Sequence, residues 1–326
     1  MKNTLLSIQN LQTHFFLDEG IVRAVNGVNL EIPLGETISI VGESGCGKSV
    51  TAFSVLQLIA SPGRIVSGKI VFHRSNSDDV VLTDLTEGGE RIRAIRGSEI
   101  AMIFQEPMTS LSPVHTVGNQ VMEALTLHTN LGKTEARLQV IDMMQRVGIP
   151  NPVERFNQYP HQMSGGLRQR MIIAMALICQ PKLLIADEPT TALDVTIQAQ
   201  IIDLLKKLNE KQGVSILFIS HDLSLVKSFA QRTMVMYAGR IVESAPTDVL
   251  FSTPQHPYTK ALIQLSKMKK NNRGEFSSIP GVVPLPLHYP TGCRFHPRCP
   301  SAIQECAEKE PDIVLKEDHS WVCPYT

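Results

Sequence analysis

Eight consecutive residues, Gly42–Ser49, read GESGCGKS and match the phosphate-binding pattern G-x-x-x-x-G-K-[ST]. The chemistry on offer is capture of a polyphosphate. Gly42, Gly45 and Gly47 let the backbone wrap so that successive N–H groups and a helix N-terminus face anionic oxygens. Lys48 can reach β and γ phosphates, and the Ser49 hydroxyl can hold Mg²⁺. Glu43, Ser44 and Cys46 complete the loop. Its context suits the pattern: Ile38–Val41 is short, apolar and β-branched, and Lys48–Leu58 has helix-like apolar spacing.

A second constellation closes the apolar run Leu183–Ala186. Asp187 lies at a strand's carboxyl end, where α/β sheets place ligands, and suits the Mg²⁺ shell. Glu188, one residue on, can aim a water at a γ-phosphate as general base. The plainer alternative is an acidic strand–loop junction. Residues Met163–Gln169 read MSGGLRQ ahead of a helical pattern. Ser164 is a natural N-cap there, and Gly165 and Gly166 leave N–H groups uncovered, which makes a second anion site. One chain has little use for two such cradles unless the second serves a neighbouring subunit's nucleotide. His221 follows Ile216–Ile219, again at a strand's carboxyl end; a lone histidine there is otherwise a hydrogen-bonded structural residue. Cys46 sits beside Lys48 and a helix N-terminus, a setting that lowers a thiol's pKa. Small-residue filler is the expected role, with an alkylatable thiol that ATP protects as the alternative.

The elements that must position these groups follow from the pattern of the 326 residues. Apolar strand candidates at Ile38–Val41, Ile100–Phe104, Leu183–Ala186, Ile216–Ile219 and Met234–Tyr237 alternate with helical stretches. That alternation predicts an α/β fold with a mostly parallel sheet and helices on both faces. From about residue 106 to 181 the pattern gives helices without clear strands, among them Glu135–Val147 and Leu167–Ile178, and reads as a helical insert. After Gly239 prolines interrupt the chain repeatedly, and Ser266–Gly274 reads as a solvated basic linker rather than a nucleic-acid patch. Lys+Arg and Asp+Glu balance at 31 each, so bulk charge points to neither nucleic acid nor an anionic membrane. The apolar run Met171–Cys179 is far short of a bilayer span, and the N-terminus lacks a signal peptide's apolar stretch. A soluble cytoplasmic chain, able to dock on membrane proteins, is expected.

Cys293, Cys299, Cys306 and Cys323 crowd the C-terminus, spaced C-x5-C-x6-C-x16-C, while Cys46 and Cys179 stand alone. In a cytosolic chain this points to metal binding before disulfides. Four thiolates hold either tetrahedral zinc or an iron–sulfur cluster, and spacing does not separate the two. His288, His296 and His319 are substitute ligands, and two disulfides are the remaining alternative.

Taken in order, GESGCGKS, Gln105 after a strand, SGGLRQ, LLIADE, Ala192-Leu193-Asp194 and Ser220-His221-Asp222 resemble the ATPase subunit of an ABC transporter. The resemblance covers nearly all of residues 1–240. It implies a P-loop NTPase fold of the ABC cassette type, with a helical subdomain at about 106–181, a Cys-containing extension at 241–326, and ATP hydrolysis as the activity. On that resemblance Glu188 and His221 are catalytic, His221 as the switch that contacts the γ-phosphate. Gln105 contacts Mg²⁺ or water and senses the membrane subunits, so that Ser49, Gln105 and Asp187 share the Mg²⁺. Ser164, Gly165, Gly166 and Gln169 close over the partner's ATP, and Asp194 belongs to the loop joining two sites. Family members stack an aromatic near the first strand on adenine; Phe15 is the choice here and Phe16 the alternative.

Residues 256–262 (HPYTKAL), 279–281 (IPG) and 292–300 (GCRFHPRCP) are similar to the tail of peptide-type importer ATPases, which serve dipeptides, oligopeptides and sometimes nickel or oligosaccharides. Some of that subfamily carry a [4Fe-4S] cluster on such cysteines, so the resemblance implies a cluster stapling the tail, with zinc as the alternative. The implied partners are a second ATPase subunit (a paralogue or the same chain), two permease subunits docking on residues 106–117, and indirectly an extracytoplasmic substrate-binding protein. Nucleic acid is not among them. The implied location is peripheral, on the cytoplasmic face of the cell membrane. Two competing classes fit less well. DNA-repair or ribosomal ABC ATPases generally have tandem cassettes or coiled-coil inserts, and a phosphate-loop kinase or GTPase leaves SGGLRQ and His221 without a job.

Overall fold

The computed structural model describes residues 4–74, 78–105, 110–191, 193–267 and 278–325. Its strands in chain order are β1 (Thr4–Leu17), β2 (Gly20–Pro33), β3 (Thr37–Val41), β4 (Gly63–Phe72), β5 (Val80–Val81), β6 (Ile100–Ile103), β7 (Leu183–Asp187), β8 (Ser215–Ser220), β9 (Arg232–Tyr237), β10 (Arg240–Pro246), β11 (Val314–Lys316) and β12 (His319–Trp321). Two compact units result. One comprises residues 33–36 and 85–217, the other 4–32, 37–84 and everything from Phe218 onward.

In the first unit β6 and β7 run parallel, from Ile100↔Leu183 to Ile103↔Ala186. Their carboxyl ends therefore open on the same side, which is where α/β sheets hold ligands. Helices fill the chain between them: Val117–Thr126, Lys133–Arg146, Pro152–Arg155 and Gly165–Leu177. Lys133–Arg146 buries Ala136, Val140, Met143 and Met144, a stripe at helical spacing that turns one face inward. Phe156 packs on Gly118, where a Cβ would fall 2.3 Å from the ring. Arg137 covers the same ring at 4.0 Å.

In the second unit β3 is buried throughout and runs parallel to β9, Ile38↔Arg232 to Val41↔Val235. β9 turns through Ala238-Gly239 into antiparallel β10, β10 pairs with β12, and β12 with β11. The expected parallel order thus holds at β3–β9 and β6–β7, while the tail extends its sheet with antiparallel strands. A separate antiparallel sheet has the order β2-β1-β4-β5. The expected elements did not include it, although β2 alternates over Val28, Leu30 and Ile32; β1 lacks that signal because it buries Leu5, Leu6, Ser7 and Ile8 in succession and later Thr13 and His14. Its register against β4 also shifts between Gln9 and Thr13. A strand covered on both faces and bulged loses the period of two. Among the described residues no helix is long and apolar enough to cross a membrane.

The tail folds around a buried carboxylate. Glu243 accepts the backbone N–H groups of Gln255 (2.7 Å) and His256 (2.8 Å), and His319 Nε2 lies 2.8 Å from its Oε1. His256 Nδ1 in turn accepts the Tyr258 N–H at 3.1 Å, at the start of the helix Pro257–Lys267. Burial pushes the His256 imidazole from its ordinary 6.5 down to about 3, so the ring stays neutral and Nδ1 stays an acceptor. Below pH 6.5 the unfolded chain takes up a proton here that the folded chain refuses until about pH 3. Stability should fall across that window, by up to ~1.4 kcal/mol per pH unit from this residue. Melting temperatures measured from neutral pH downward should decline less steeply in His256→Asn than in the parent; parallel declines would assign the acid sensitivity to other groups.

Candidate active site

β3 delivers the chain into the loop Gly42–Ser49, and the helix Lys48–Val55 leaves it. Two glycines are fixed by close approach. A Cβ on Gly42 would fall 2.2 Å from the Met236 carbonyl oxygen, and one on Gly47, at φ +106°, would fall 2.3 Å from that of Ala24. No L side chain fits either position. The loop therefore adopts one path, with Ser44 and Gly45 exposed and Lys48 buried. Lys48 Nζ donates to the carbonyls of Gly42 (2.8 Å) and Glu43 (3.1 Å), poised at the loop's own centre. Ser49 is half-buried in the first helical turn.

Cys46 takes the plainer of its two expected roles, small-residue filler. Its Sγ lies 3.9 Å from Lys48 Nζ, yet burial outweighs the lysine and pushes the thiol's pKa up. At 1% exposure it is packing, tucked against Gly42.

Asp187 ends β7 fully buried. Glu188 follows in the left-handed backbone region, φ +47°, which a non-glycine residue adopts at a cost and which recurs at functional sites. Its Oε2 accepts from Gln105 Nε2 at 3.2 Å and from Thr191 Oγ1 at 3.0 Å. Gln105 is exposed just beyond β6, so the parallel pairing of β6 and β7 brings these two predicted residues together. Thr191 was not anticipated; a threonine three residues past Glu188 has no distinguishing pattern. Residues 106–109 of the expected docking segment, and Ala192, lie outside the described residues. The rest of that segment is tied to the next helix by Gln120, whose side chain bonds the backbone of Ser112 and His115.

Ser164 caps the helix Gly165–Leu177, its Oγ accepting from the Leu167 N–H at 3.4 Å. Ser164 is exposed and the two glycines half-exposed, so the helix N-terminus is open. Gln169 is placed differently from the other signature residues: it is fully buried and donates to the Pro189 carbonyl at 2.6 Å. Its amide thus braces the backbone next to Glu188. Asp194 caps the helix Val195–Gln212 through the Ile197 N–H at 3.0 Å. In the other unit His221 is exposed beyond β8, and the next residue, Asp222, caps the helix Leu223–Phe229. Phe15 lies against Gly63, where a Cβ would fall 2.5 Å from the ring, while Arg64 covers Phe16 at 4.2 Å.

Residues 25–191 match the family described as ABC transporter. This chain belongs to that family. Residues 242–306 further match the oligopeptide/dipeptide transporter C-terminal region. A probable peptide ABC transporter ATP-binding protein of Sinorhizobium fredii is 48% identical, over 98% of this chain and 94% of the relative. An oligopeptide transport ATP-binding protein of Bacillus subtilis is 47% identical (96% and 93%), and a dipeptide transport ATP-binding protein of Escherichia coli 46% identical (96% and 94%). A dimeric ATP-binding cassette solved in a post-hydrolysis state with ADP and Pi aligns with a TM-score of 0.65 at 28% identity, over 74% of this chain and 98% of that one. The chain is an ABC-type ATP hydrolase.

In the ABC tail, Cys293, Cys299, Cys306 and Cys323 all line one cavity of about 630 Å³. Burial pushes the thiols of Cys293, Cys299 and Cys323 up. Among the described residues, however, no group of three or more His, Cys, Asp or Glu is arranged to hold a metal ion. The expected cluster ligands share a chamber without forming a ready-made ion site. For the loop thiol the outcome is definite: alkylation of Cys46 should be slow at neutral pH and equally slow with MgATP present. Rapid labelling that MgATP suppresses would restore the activated thiol.

Proposed function

We propose that this chain is the ATP-hydrolysing motor of a peptide importer. The observation that carries the reading is one chain joining an intact, braced Glu188 to a tail of the oligopeptide/dipeptide transporter type. The names of the relatives point the same way, all three to peptide transport.

The residue roles are assigned motif by motif. The loop 42–49 grips the phosphates of ATP through its N–H groups and Lys48. Ser49, Gln105 and Asp187 offer hydroxyl, amide and carboxylate oxygens, the hard donors that Mg²⁺ prefers; the ion neutralises phosphate charge when bound. Glu188 is the general base, oriented by Thr191 and Gln105 and held on a backbone braced through Gln169. His221 contacts the γ-phosphate, and Phe15, or its neighbour Phe16, stacks on adenine. Ser164, Gly165 and Gly166 cap the nucleotide of a second ATPase subunit, with Asp194 in the connecting loop. The open N-terminus of the helix Gly165–Leu177 supports that role, since it faces solvent in the single chain. ATP-driven closure of two such subunits, a paralogue or two copies, then moves a pair of permease subunits on the cytoplasmic face of the membrane.

The four cysteines are the ligands of a [4Fe-4S] cluster, or of zinc, that staples the tail. What supports the reading is that all four line one cavity, although among the described residues they are not drawn together as an ion site; a bound cation would favour their thiolate forms.

Glu188→Gln should retain ATP binding, lose turnover by about 10²–10⁴-fold, and accumulate as a closed dimer in size-exclusion runs with MgATP. Normal hydrolysis in that variant moves the base elsewhere. Two hydrophobic permease proteins should copurify with the tagged chain, and peptide should stimulate its ATPase in that complex. For the tail, anaerobically purified protein should be brown; colourless protein with stoichiometric zinc overturns the cluster.

A further inference from the structure

Glu43, the second residue of the phosphate loop, has every polar group on a fixed partner. Its carbonyl accepts from Lys48 Nζ at 3.1 Å, and its N–H donates to the Tyr258 hydroxyl at 2.9 Å. Its carboxylate takes a bidentate grip from Arg298, Nη1 to Oε2 at 2.7 Å and Nη2 to Oε1 at 3.0 Å. Two of these three partners belong to the tail. Nothing in the loop pattern requires a glutamate here, because position two of G-x-x-x-x-G-K-[ST] is free.

Arg298 is built for the task. Its side chain is 3% exposed, and all five N–H donors are used. Nε donates to the Pro280 carbonyl at 3.1 Å, the second Nη2 hydrogen to that of Ile279 at 3.1 Å, and the second Nη1 hydrogen to the Tyr237 hydroxyl at 3.4 Å. Around it stand Tyr237, Tyr258 and Phe295, with ring centroids 4.6 to 5.4 Å apart. A guanidinium fixed by backbone carbonyls and aromatic walls is a rigid fork, and a lysine there supplies a point charge without the fork.

We propose that Arg298 and Tyr258 are positioning residues, which hold the phosphate loop in its nucleotide-binding path through Glu43. The proposal rests on the reading of 42–49 as the phosphate grip for ATP. One end of Glu43 fixes the backbone immediately after Gly42, and the other prevents the carboxylate from turning toward incoming phosphates, where it would repel them. The tail thereby becomes part of the nucleotide site's support rather than an appendage.

The test is equilibrium binding of MgADP to the full chain, with thermal melts run alongside. Tyr258→Phe removes one acceptor and keeps the ring; it should weaken MgADP about fivefold. Arg298→Lys should weaken it by about tenfold. Arg298→Lys placed in a Glu43→Gln background should add less than about twofold, because the arginine acts through that carboxylate. A merely structural arginine would lower the melting temperature in both backgrounds and leave MgADP affinity alone. Affinities within about twofold of the parent in both single variants would overturn the proposal, as would an undiminished Arg298→Lys loss in the Glu43→Gln background. Should Arg298→Lys fail to fold, Tyr258→Phe decides alone. A parent that fails to bind MgADP sinks the underlying site reading, an outcome distinct from variants that match a binding parent.

Discussion

The phosphate loop passes so close to two other stretches of main chain that backbone meets backbone, at the Met236 and Ala24 carbonyls, with no room for a β-carbon. Much of the second unit's local chemistry follows from that approach. The tight path buries Cys46 and brings Lys48 back over the carbonyls of Gly42 and Glu43. A cation at the centre of its own loop is where a polyphosphate's charge must go, so the loop's shape and its ligand are specified together. The same burial reverses the chemistry of Cys46. A neighbouring ammonium and a helix N-terminus favour thiolate, but removing the sulfur from water favours thiol, and at this depth desolvation wins.

A comparable balance holds at Glu188. Its left-handed backbone costs on the order of 1–3 kcal/mol, and surrounding bonds must over-determine it. They do: Thr191 and Gln105 hold the carboxylate, Gln169 holds the Pro189 carbonyl and Gln198 that of Thr190. The helix that begins at the signature therefore has two tasks. Its open N-terminus faces outward at Ser164, and its second turn reaches inward to steady the residue after Glu188.

Several candidate site residues were legible because they sit at strand ends, which apolar runs announce, while Ser164 and Asp194 were legible as helix caps. Ile38–Val41, Leu183–Ala186 and Ile216–Ile219 all became strands within a residue or so of their expected limits. β1 was not legible, since two-sided burial and a register shift erase its alternation, whereas β2 alternates over Val28, Leu30 and Ile32 and was passed over. The roles of Tyr258 and Arg298 stayed hidden for a different reason. Both reach Glu43 through the fold, Arg298 across 255 positions of sequence. No local spacing can encode that. The tail also folded more fully than its prolines suggested, because one buried carboxylate, Glu243, collects N–H groups from residues that periodicity does not connect.

The pairing of Arg298 with Glu43 also ties the folding of the tail to that of the loop. Removing one partner of a buried ion pair typically costs about 3–5 kcal/mol, because the remaining charge is stranded; Glu43 keeps some solvent access, which moderates its share. The tail also buries Leu250, Tyr258, Ile263, Ile279, Phe295 and Trp321, so the arginine and its charge pair add to an apolar anchor. Arg298 sits in a turn spanned by Cys293 and Cys299, whose backbone closes on itself through His296 N–H to the Cys293 carbonyl and Cys299 N–H to the His296 carbonyl. Cys293 and Cys299 thus belong to the same short turn as the arginine. The cysteine chamber and the phosphate loop are therefore joined in the fold through one side chain, Arg298, which lines the first and grips Glu43 of the second.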